Sequence, residues 1–415
     1  MIEQEFLNRI ENAQESIQWQ ELGFSKNKGT VQCVFCQSKN KGYLYDYYFK
    51  CFSSKCGEKG NKITVHQKLN NLSFYEALCD IESKGNIDIQ AQEEFFQTRN
   101  NVLSDVLEVY NNELWQHQEA LDYLYSRGFE EEFILREQIG YTPHNKILRN
   151  YNLSSNTLRR HDLLRKHGEF FSNRLIFPVY NKNSFLVHLT GRYFPGEINE
   201  YKYLDSSAMP AIGSCKDYLL FEKHLSFYKA NKKTLFLVEG VPDSYILKQS
   251  GCNVVGLLGL QKILKQGSKL QDFNEIIAVF DNDKFDLNHP YYPDQYKSWR
   301  VVLDQLIELQ IYLGKSVVIK TVQIPEHLEI NNKFVKDVND LYLYFKKDKS
   351  KLKSTLKNWA VDIVENYINT HKGDIAAHKV ALKLVASTGR GLNLLEEYIP
   401  NDWSPLKYAL KVLVD

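Results

Sequence analysis

The sequence predicts a multidomain α/β protein, and three observations carry this prediction. Two close cysteine pairs lie near the N-terminus of the 415-residue chain. Between residues 234 and 322, short β-branched apolar runs alternate with helical stretches, which indicates a parallel sheet with crossover helices. Residues 343–415 have a mostly helical pattern. We therefore expect a small metal-binding module, a mixed α+β segment with local basic residues, a parallel α/β domain and a helical C-terminal region.

The composition is that of a globular protein, with 43% hydrophobic and 25% charged residues. The net charge of +1 gives no argument for nucleic acid, so any basic residues that bind it must be gathered locally. No apolar run approaches the roughly 20 residues of a membrane span, and the polar N-terminus does not fit a signal peptide. We therefore expect a cytoplasmic protein with no membrane partner.

The four clustered cysteines have the spacing of metal ligands. Cys33 and Cys36 form the first pair, and Cys51 and Cys56 follow after a segment of hairpin length. Two thiolates on each of two tight turns can converge on one tetrahedral zinc ion. The intervening aromatic segment, residues 43–49, favours strands. These features predict a zinc ribbon; the alternative is four buried structural thiols without a metal.

The residues around the second cysteine pair resemble a known family. Tyr48–Phe52, the following Gly60-Asn61 and the helix start at residues 73–77 are similar to the zinc-binding domain of bacterial-type (DnaG-like) DNA primases. That family often has a histidine at the second ligand position, where this chain has Cys36. The resemblance implies a zinc-binding domain over residues 1–86, followed by a polar linker over residues 87–100.

Residues 101–230 continue the resemblance as a basic subdomain of the polymerase core. Arg174 precedes a strand containing Phe177-Pro178, Arg192 follows the partner strand, and Lys202 begins a Lys-Tyr-Leu-Asp-Ser segment. In primases the matching residues line the path of template and nucleotide. The resemblance therefore implies phosphate contacts by these three side chains. The alternative for each is a solvated surface charge.

Carboxylates follow two apolar runs within residues 231–342. The first run ends in Glu239-Gly240, with Asp243 three residues after the glycine, and another ends in Asp281-Asn282-Asp283. This pattern resembles the Toprim domain, an α/β fold with a parallel sheet. Two carboxylates spaced two apart on an extended segment point to the same side, where they can hold Mg²⁺ or Mn²⁺. The alternative is that the carboxylates cap helices.

The resemblance assigns Glu239, Asp281 and Asp283 as catalytic ligands of magnesium or manganese, with Asp243 in a supporting role. Asp337 lies in a Lys-Asp-Val-Asn-Asp segment similar to the one that closes the Toprim domain in primases. It is expected to be a further magnesium ligand or an N-cap of the next helix. One departure from the family is an insert over residues 284–293. A helix is expected to start after it, near Asp294.

The order of these modules predicts a DNA primase that synthesises short RNA primers by metal-dependent nucleotidyl transfer, and a phage- or plasmid-encoded origin is compatible with it. The expected cofactors are structural Zn²⁺ and catalytic Mg²⁺ or Mn²⁺. The expected partners are a single-stranded DNA template, ribonucleoside triphosphates and, by resemblance alone, a replicative helicase. Two alternatives are a Toprim-type nuclease or nicking protein of a mobile element, and a zinc-containing DNA-binding adaptor with a relict core.

Overall fold

The computed structural model describes the chain from residue 10 to residue 394, with gaps. The described residues are 10, 13–15, 17–54, 56–70, 72, 74–81, 89–143, 147–150, 154–165, 168–194, 202–209, 212–231, 234–259, 263–281, 292–325, 327–370 and 375–394. They divide into two compact units, one formed by Met1–Asn100 with Ala208–Gly213 and the other by Asn101–Ser207 with Ser214–Asp415. Within the described segments, no helix has the length and apolar character needed to cross a membrane.

The first unit contains a four-stranded antiparallel sheet followed by two helices. Its strands lie in chain order, β1 (Gly29–Val31), β2 (Gly42–Leu44), β3 (Tyr48–Cys51) and β4 (Lys59–Asn61), and its helices are α1 (Lys62–Asn70) and α2 (Phe74–Ile81). In β2 and β3, buried and exposed residues alternate, as expected for strands with one face on a core. Leu44 and Phe49 point inward, whereas Tyr43 and Tyr48 are exposed.

A small aromatic core supports this sheet. Trp19 is buried, its ring packs edge-on against Phe24, and its indole N–H donates to the carbonyl oxygen of Tyr45 at 2.9 Å. The Lys62 ammonium donates to two backbone carbonyls, those of Gln14 at 2.8 Å and Ile17 at 2.7 Å. These long-range contacts fix the segment before the sheet onto the first turn of α1.

Residues 89–100, which the sequence predicts to be part of a linker, lie within a long helix, α3 (Ile89–Gln116). The polar composition that favours a linker is also compatible with a helix that is polar on one face. The finer division of the chain into five segments stays a prediction.

The second unit begins with helices and a four-stranded antiparallel sheet, in the order β10 (Tyr203–Asp205), β9 (Leu186–Tyr193), β8 (Arg174–Tyr180) and β5 (Gly140–Thr142). The central hairpin of β8 and β9 is almost fully buried, and Arg174 starts the first of its strands. The elements are α4 (Gln118–Ser126), α5 (Glu131–Arg136), β5 (Gly140–Thr142), α6 (Ser155–Arg160), β6 (Leu164–Arg165), β7 (Gly168–Glu169), β8 (Arg174–Tyr180), β9 (Leu186–Tyr193) and β10 (Tyr203–Asp205).

A six-stranded sheet forms the larger part of this unit, in the order β11-β13-β12-β14-β15-β18. The four inner strands are parallel, and the two edge strands are antiparallel to their neighbours. The strands are β11 (Leu219–Leu220), β12 (Leu235–Val238), β13 (Val254–Leu257), β14 (Glu275–Val279), β15 (Val318–Val322) and β18 (Ala360–Asp362). The two edge strands lie outside residues 231–342, so the sheet draws on a wider range than predicted for the Toprim domain.

Helices cover both faces of this sheet. They are α7 (Leu225–Ala230), α8 (Val241–Gln249), α9 (Gly267–Leu270), α10 (Tyr292–Leu313), α11 (Val338–Tyr344), α12 (Lys349–Asn358), α13 (Ile363–Thr370) and α14 (Ile375–Thr388), and a short hairpin of β16 (Glu329–Ile330) and β17 (Lys333–Phe334) precedes α11. Consecutive residues of β12 alternate between two cores: Phe236 packs in the core that includes Tyr245 of α8, and Leu237 packs in the core that includes Leu306 of α10. Burial on both faces explains the continuous apolar run of this strand.

Candidate metal centre and active site

The four predicted cysteine ligands form a compact cluster in the first unit. The Sγ atoms of Cys33, Cys36, Cys51 and Cys56 all lie within 4.8 Å of one another. The Cys33–Cys56 and Cys36–Cys51 Sγ distances are both 3.8 Å. A tetrahedron with Zn–S bonds of about 2.3 Å has S···S edges of about 3.8 Å, so the cluster has the dimensions of a zinc site.

Two matching turns bring the thiols together. The residue after the second cysteine of each pair has a positive φ: 57° at Gln37 and 61° at Gly57. The Gln37 N–H donates to the carbonyl oxygen of Cys33 at 2.9 Å, and the Gly57 N–H donates to that of Ser53 at 3.1 Å. Each turn therefore folds the chain back so that both thiols of a pair reach one point, although the second pair has two more intervening residues.

The thiols differ in their ease of ionisation. Hydrogen bonds with the side chain and backbone of Ser38 lower the pKa of Cys36 to about 6. Burial raises the pKa of Cys33 and of Cys56. Zinc binds thiolates, so metal binding here is expected to release protons and to weaken at low pH.

In the second unit, carboxylates lie at the ends of two neighbouring parallel strands. Glu239 directly follows β12, and Asp281 is the second residue after β14. Val238 pairs with Val279 in the ladder between these strands. The two carboxylates therefore lie at the same edge of the sheet, which is where open α/β sheets place their sites. The third predicted catalytic residue, Asp283, lies outside the described residues.

A cavity of about 350 Å³ opens at this edge of the sheet. We call it the acidic cavity because carboxylates from four segments reach it. The acidic residues that line it are Asp205, Glu239, Asp243, Asp281 and Asp337, and the basic ones are Arg127, Arg192, Lys202, Lys216 and Lys336. The arrangement therefore combines groups that hold divalent cations with groups that bind phosphates.

Asp337 has one of the two roles that the sequence leaves open, that of an N-cap, and its role as a magnesium ligand stays a prediction. Its Oδ1 accepts a hydrogen bond from the N–H of Asp340 at 2.7 Å, so it caps α11. Its Oδ2 lies 3.8 Å from Nη2 of Arg127, and the residue lines the acidic cavity. The cap therefore uses Oδ1, whereas Oδ2 faces the Arg127 guanidinium.

Asp243 is the most deeply placed carboxylate of the cavity. It is 5% exposed, and its Oδ1 accepts a hydrogen bond from the backbone N–H of Asn339 at 2.9 Å. Burial, followed by the nearby charges of Asp337 and Asp281, raises its pKa well above the usual range. A Cβ at Gly240 would lie 2.1 Å from Asp243 Oδ2, which explains the glycine after Glu239.

Two of the three predicted phosphate-binding residues line the acidic cavity. The Arg192 guanidinium lies 5.8 Å from the ring centroids of both Tyr123 and Tyr203, and its Nη1 donates to the Tyr203 hydroxyl at 3.2 Å. Lys202 is exposed beside it.

The third residue, Arg174, has a different environment. It is 4% exposed, and its Nη1 donates to the carbonyl oxygens of Gly191 at 3.3 Å and Lys202 at 3.5 Å. A phosphate contact by Arg174 stays a prediction, whereas its contacts with the backbone are visible.

Sequence reasoning assigned no role to several cavity residues. Arg127 lies more than 100 residues before Glu239, and Nη1 and Nη2 of its guanidinium approach Asp340 at 3.7 Å and Asp337 at 3.8 Å. Lys216 packs its aliphatic stem over Gly259. Arg127 lies in a Tyr-Leu-Tyr-Ser-Arg-Gly segment similar to one in the primases, which is a usable signal, but the sequence around Lys216 offers none.

Comparisons with known proteins agree with this geometry. Residues 109–233 match the family described as the N-terminal domain of the DNA primase catalytic core. The DNA primase of Thermotoga maritima is 28% identical over 257 residues, which is 57% of this chain and 44% of that protein. The chain spans about half the length of the curated relatives it matches.

Two solved structures are similar in fold. The zinc-binding and RNA polymerase domains of Aquifex aeolicus primase have a TM-score of 0.56 at 18% identity, with 98% of both chains covered. A DnaG primase catalytic domain bound to single-stranded DNA has a TM-score of 0.52 at 20% identity, with 76% of this chain and 93% of that chain covered. The predicted multidomain α/β class and the resemblance to DnaG-like bacterial DNA primases are therefore confirmed.

Proposed function

We propose that this chain, which resembles bacterial DNA primases in sequence and fold, synthesises short RNA primers on single-stranded DNA. The observation that carries the proposal is the convergence of Glu239, Asp281 and Asp337 with five basic residues on one cavity. A nucleotidyl transfer needs both groups: carboxylates for divalent ions, and cations for the phosphates of template and nucleotide. The nuclease alternative is not favoured, because the relatives and the fold are those of primases.

The carboxylates Glu239, Asp281 and Asp337 would hold Mg²⁺ or Mn²⁺, together with Asp283 of the sequence motif. When bound, such ions activate a 3′-hydroxyl and compensate the charge of the leaving pyrophosphate. Asp243 would support this site without being a main ligand, because it is buried and its Oδ1 already accepts a hydrogen bond from the Asn339 N–H. The charges of Asp337 and Asp281 already raise the pKa of Asp243. Carboxylates that are gathered in this way need a cation or a proton to compensate their charge, which supports a cation site.

The basic side chains of the cavity would orient the phosphates. Arg192 is held by Tyr123 and Tyr203 and so presents a fixed planar donor, whereas Lys202 and Lys216 supply mobile point charges. We assign Arg174 a positioning role in addition to its predicted phosphate contact. Its hydrogen bonds to the backbone of β9 and to the Lys202 carbonyl oxygen support this assignment.

Template binding would also involve the first unit, through its exposed sheet face. Tyr43, Tyr45, Tyr48 and Phe52 are between 37% and 55% exposed, and the Lys50 ammonium lies 4.9 Å from the Phe52 ring centroid. We call these five residues the aromatic surface. Exposed aromatic rings beside a cation form a stacking platform for single-stranded nucleic acid. The zinc cluster would hold the strands that carry it. A replicative helicase is a further proposed partner, on the resemblance alone.

The test is a primer synthesis assay with single-stranded DNA, labelled ribonucleoside triphosphates and Mg²⁺ or Mn²⁺. The wild type is expected to make short RNA. Asp281→Asn keeps the side-chain shape but removes the charge, and we expect a loss of at least about 100-fold, as for the removal of a group that acts on the reacting atoms. Labelled template in the same reactions reports cleavage.

A matched control is Asp272→Asn, which removes a surface carboxylate that pairs with Lys229 at 2.6 Å. This variant is expected to keep full synthesis. Template shortening without RNA synthesis would overturn the proposal in favour of a nuclease. RNA synthesis by Asp281→Asn at the wild-type rate would show that this carboxylate of the acidic cavity takes no part in the reaction.

A further inference from the structure

A group of basic side chains lies away from the acidic cavity, at the far end of α8. We call Arg136, Lys223, His224 and Lys248 the cationic cluster. Lys248 is in the last turn of α8, whereas Asp243 is in its first turn. From Val241 to Lys248 the helix rises about 10 Å, so the cluster and the carboxylates lie at opposite ends of one helix.

Aromatic rings form the walls of the cationic cluster. The Lys248 ammonium donates to the Tyr228 hydroxyl at 2.6 Å and lies 5.6 Å from the Phe221 ring centroid. The Lys223 ammonium lies 3.7 Å from the ring centroid of Tyr180. The His224 ring contacts the same two rings as Lys248, with centroid distances of 5.9 Å to Tyr228 and 6.4 Å to Phe221. Lys223 and Lys248 are therefore held by aromatic rings and, for Lys248, by a hydroxyl group, and not by ion pairs among the described residues.

The cluster has a charge imbalance. Glu137 is the carboxylate whose charge acts on Lys248. Its Oε1 already accepts a hydrogen bond from Arg136 Nε at 3.1 Å. In the part of the chain that the structure describes, no carboxylate oxygen lies within 4.0 Å of the Lys223 or Lys248 ammonium group. By contrast, other half-buried lysines of this unit are paired, as Lys269 is with Glu222 at 2.7 Å.

The protonation behaviour agrees with an uncompensated site. Burial, followed by the Lys248 and Lys223 charges, lowers the pKa of His224 to about 4. Burial lowers the pKa of Lys248 to about 8; Glu137 opposes this shift, and Arg136 and Lys223 add to it. An anion in the cluster would reverse these effects, since an opposite charge favours the protonated form.

We propose that the cationic cluster is a binding site for the phosphate groups of a small anionic ligand, separate from the acidic cavity. Two ammonium groups and the Arg136 guanidinium supply donors to several oxygens of one phosphate or diphosphate. Three cations facing one carboxylate match the charge of a terminal phosphate or pyrophosphate better than that of a phosphodiester. The half-buried position of Lys223 and Lys248 also favours a compact ligand over a nucleic-acid backbone.

The experiment is a calorimetric titration of the full, zinc-containing chain with pyrophosphate. No Mg²⁺ or Mn²⁺ is added, so that metal ions in the acidic cavity do not hold the probe. The double variant Lys223→Met with Lys248→Met removes both ammonium groups and is expected to weaken pyrophosphate binding at least tenfold. The matched control is Lys229→Met on the neighbouring helix, whose ammonium is paired with Asp272, and it is expected to bind like the wild type.

Three results would overturn the proposal. One is equal pyrophosphate affinity of the wild type and the double variant. Another is loss of binding in Lys216→Met but not in the double variant, which would place the probe in the acidic cavity. The third is a double variant that loses affinity for a single-stranded oligonucleotide but binds pyrophosphate like the wild type. This result would make the ligand a nucleic-acid backbone. If the double variant does not fold, Lys223→Met alone decides, because its ammonium makes a ring contact and no ion pair among the described residues.

Discussion

The ligands of the cysteine cluster come from residues 33–56, whereas the carboxylates of the acidic cavity extend from Asp205 to Asp337 and face cations from as far away as Arg127. The cysteines lie on short turns in a unit with a small core. Glu239 and Asp281 lie at strand ends of a six-stranded sheet with a core on each face, and the other carboxylates come from separate elements.

The two sites therefore differ in whether the metal stabilises the fold or the fold forms the metal site. In the first unit, a bound metal ion would join the two cysteine turns, so its binding energy would become folding energy. In the second unit, the sheet forms a site in which like charges are held close together, so the fold works against the electrostatics. Removal of metal should therefore harm the first unit and leave the second one folded.

The largest expected effect follows from loss of zinc. Cys51→Ser removes one ligand, and zinc content should fall from about one ion per chain to near zero. Structural zinc sites contribute on the order of 10–16 kcal/mol of apparent binding free energy, so β2 and β3 should lose their protection from amide hydrogen exchange. Metal analysis and hydrogen exchange of residues 42–51 measure the two effects.

Cys252→Ser serves as the control, because Cys252 is a buried lone cysteine of the second unit. It should keep both zinc and protection. In the same experiment, removal of Mg²⁺ should leave the exchange of β12 and β14 unchanged. Retained protection of β2 and β3 in Cys51→Ser would contradict the view that the metal holds this unit.

The same contrast explains how far the sequence could predict each site. The cysteine cluster could be predicted completely, because both its ligands and its turns are local. Glu239 and Asp281 could be placed at one sheet edge, since apolar runs reveal parallel strands and carboxylates follow them. The relation of Asp337 to Arg127 could not be predicted, because Arg127 ends α4 and Asp337 caps α11, and these two helices are more than 200 residues apart in the chain.

Two further features lay beyond sequence reasoning for the same physical reason. Residues 89–100 are polar enough for a linker, yet they form the first part of α3, which continues into buried residues such as Leu103 and Val106. For Arg174 the resemblance implies a phosphate contact, which stays a prediction, and its position at the buried start of β8 adds hydrogen bonds to backbone carbonyls that the sequence did not reveal. Burial decides which donors remain for a ligand, and burial depends on tertiary packing.

A smaller effect is expected from Arg127→Gln, which tests whether cations of the protein compensate the carboxylates. The guanidinium faces both Asp337 and Asp340 at under 4 Å. Its removal should lower the free energy of unfolding by roughly 1–3 kcal/mol in metal-free buffer, because partly buried carboxylates lose their partner. Added Mg²⁺ should raise the melting temperature of this variant more than that of the wild type.

Arg165→Gln is the matched control, since its exposed guanidinium pairs with Asp162 at 3.9 Å. Exposed pairs contribute about 0–1 kcal/mol, so little change is expected. If both variants behaved alike in thermal unfolding with and without Mg²⁺, Arg127 would have no electrostatic role at the cavity.

The smallest expected effect is the change in melting temperature that Asp243→Asn causes. A rise would mean that the rest of the fold holds this charge in place at a cost in stability, whereas a fall would mean that the charge stabilises the fold. The pKa of Asp243 is raised in the folded protein, so between the unfolded and folded pKa values the folded state binds more protons. Stability therefore falls as pH rises through that window, and the full cost is present above it.

Asp243→Asn keeps the acceptor for the Asn339 N–H and removes the charge. In metal-free buffer at pH 8 it should raise the melting temperature by about 2–4 °C, the shift expected for about 1 kcal/mol. At pH 5 the gain should be smaller, and at pH 8 Mg²⁺ should reduce it by stabilising the wild type. The exposed Asp272→Asn should show neither trend; a melting temperature of Asp243→Asn below that of the wild type at pH 8 would mean that this carboxylate stabilises the fold without a cation.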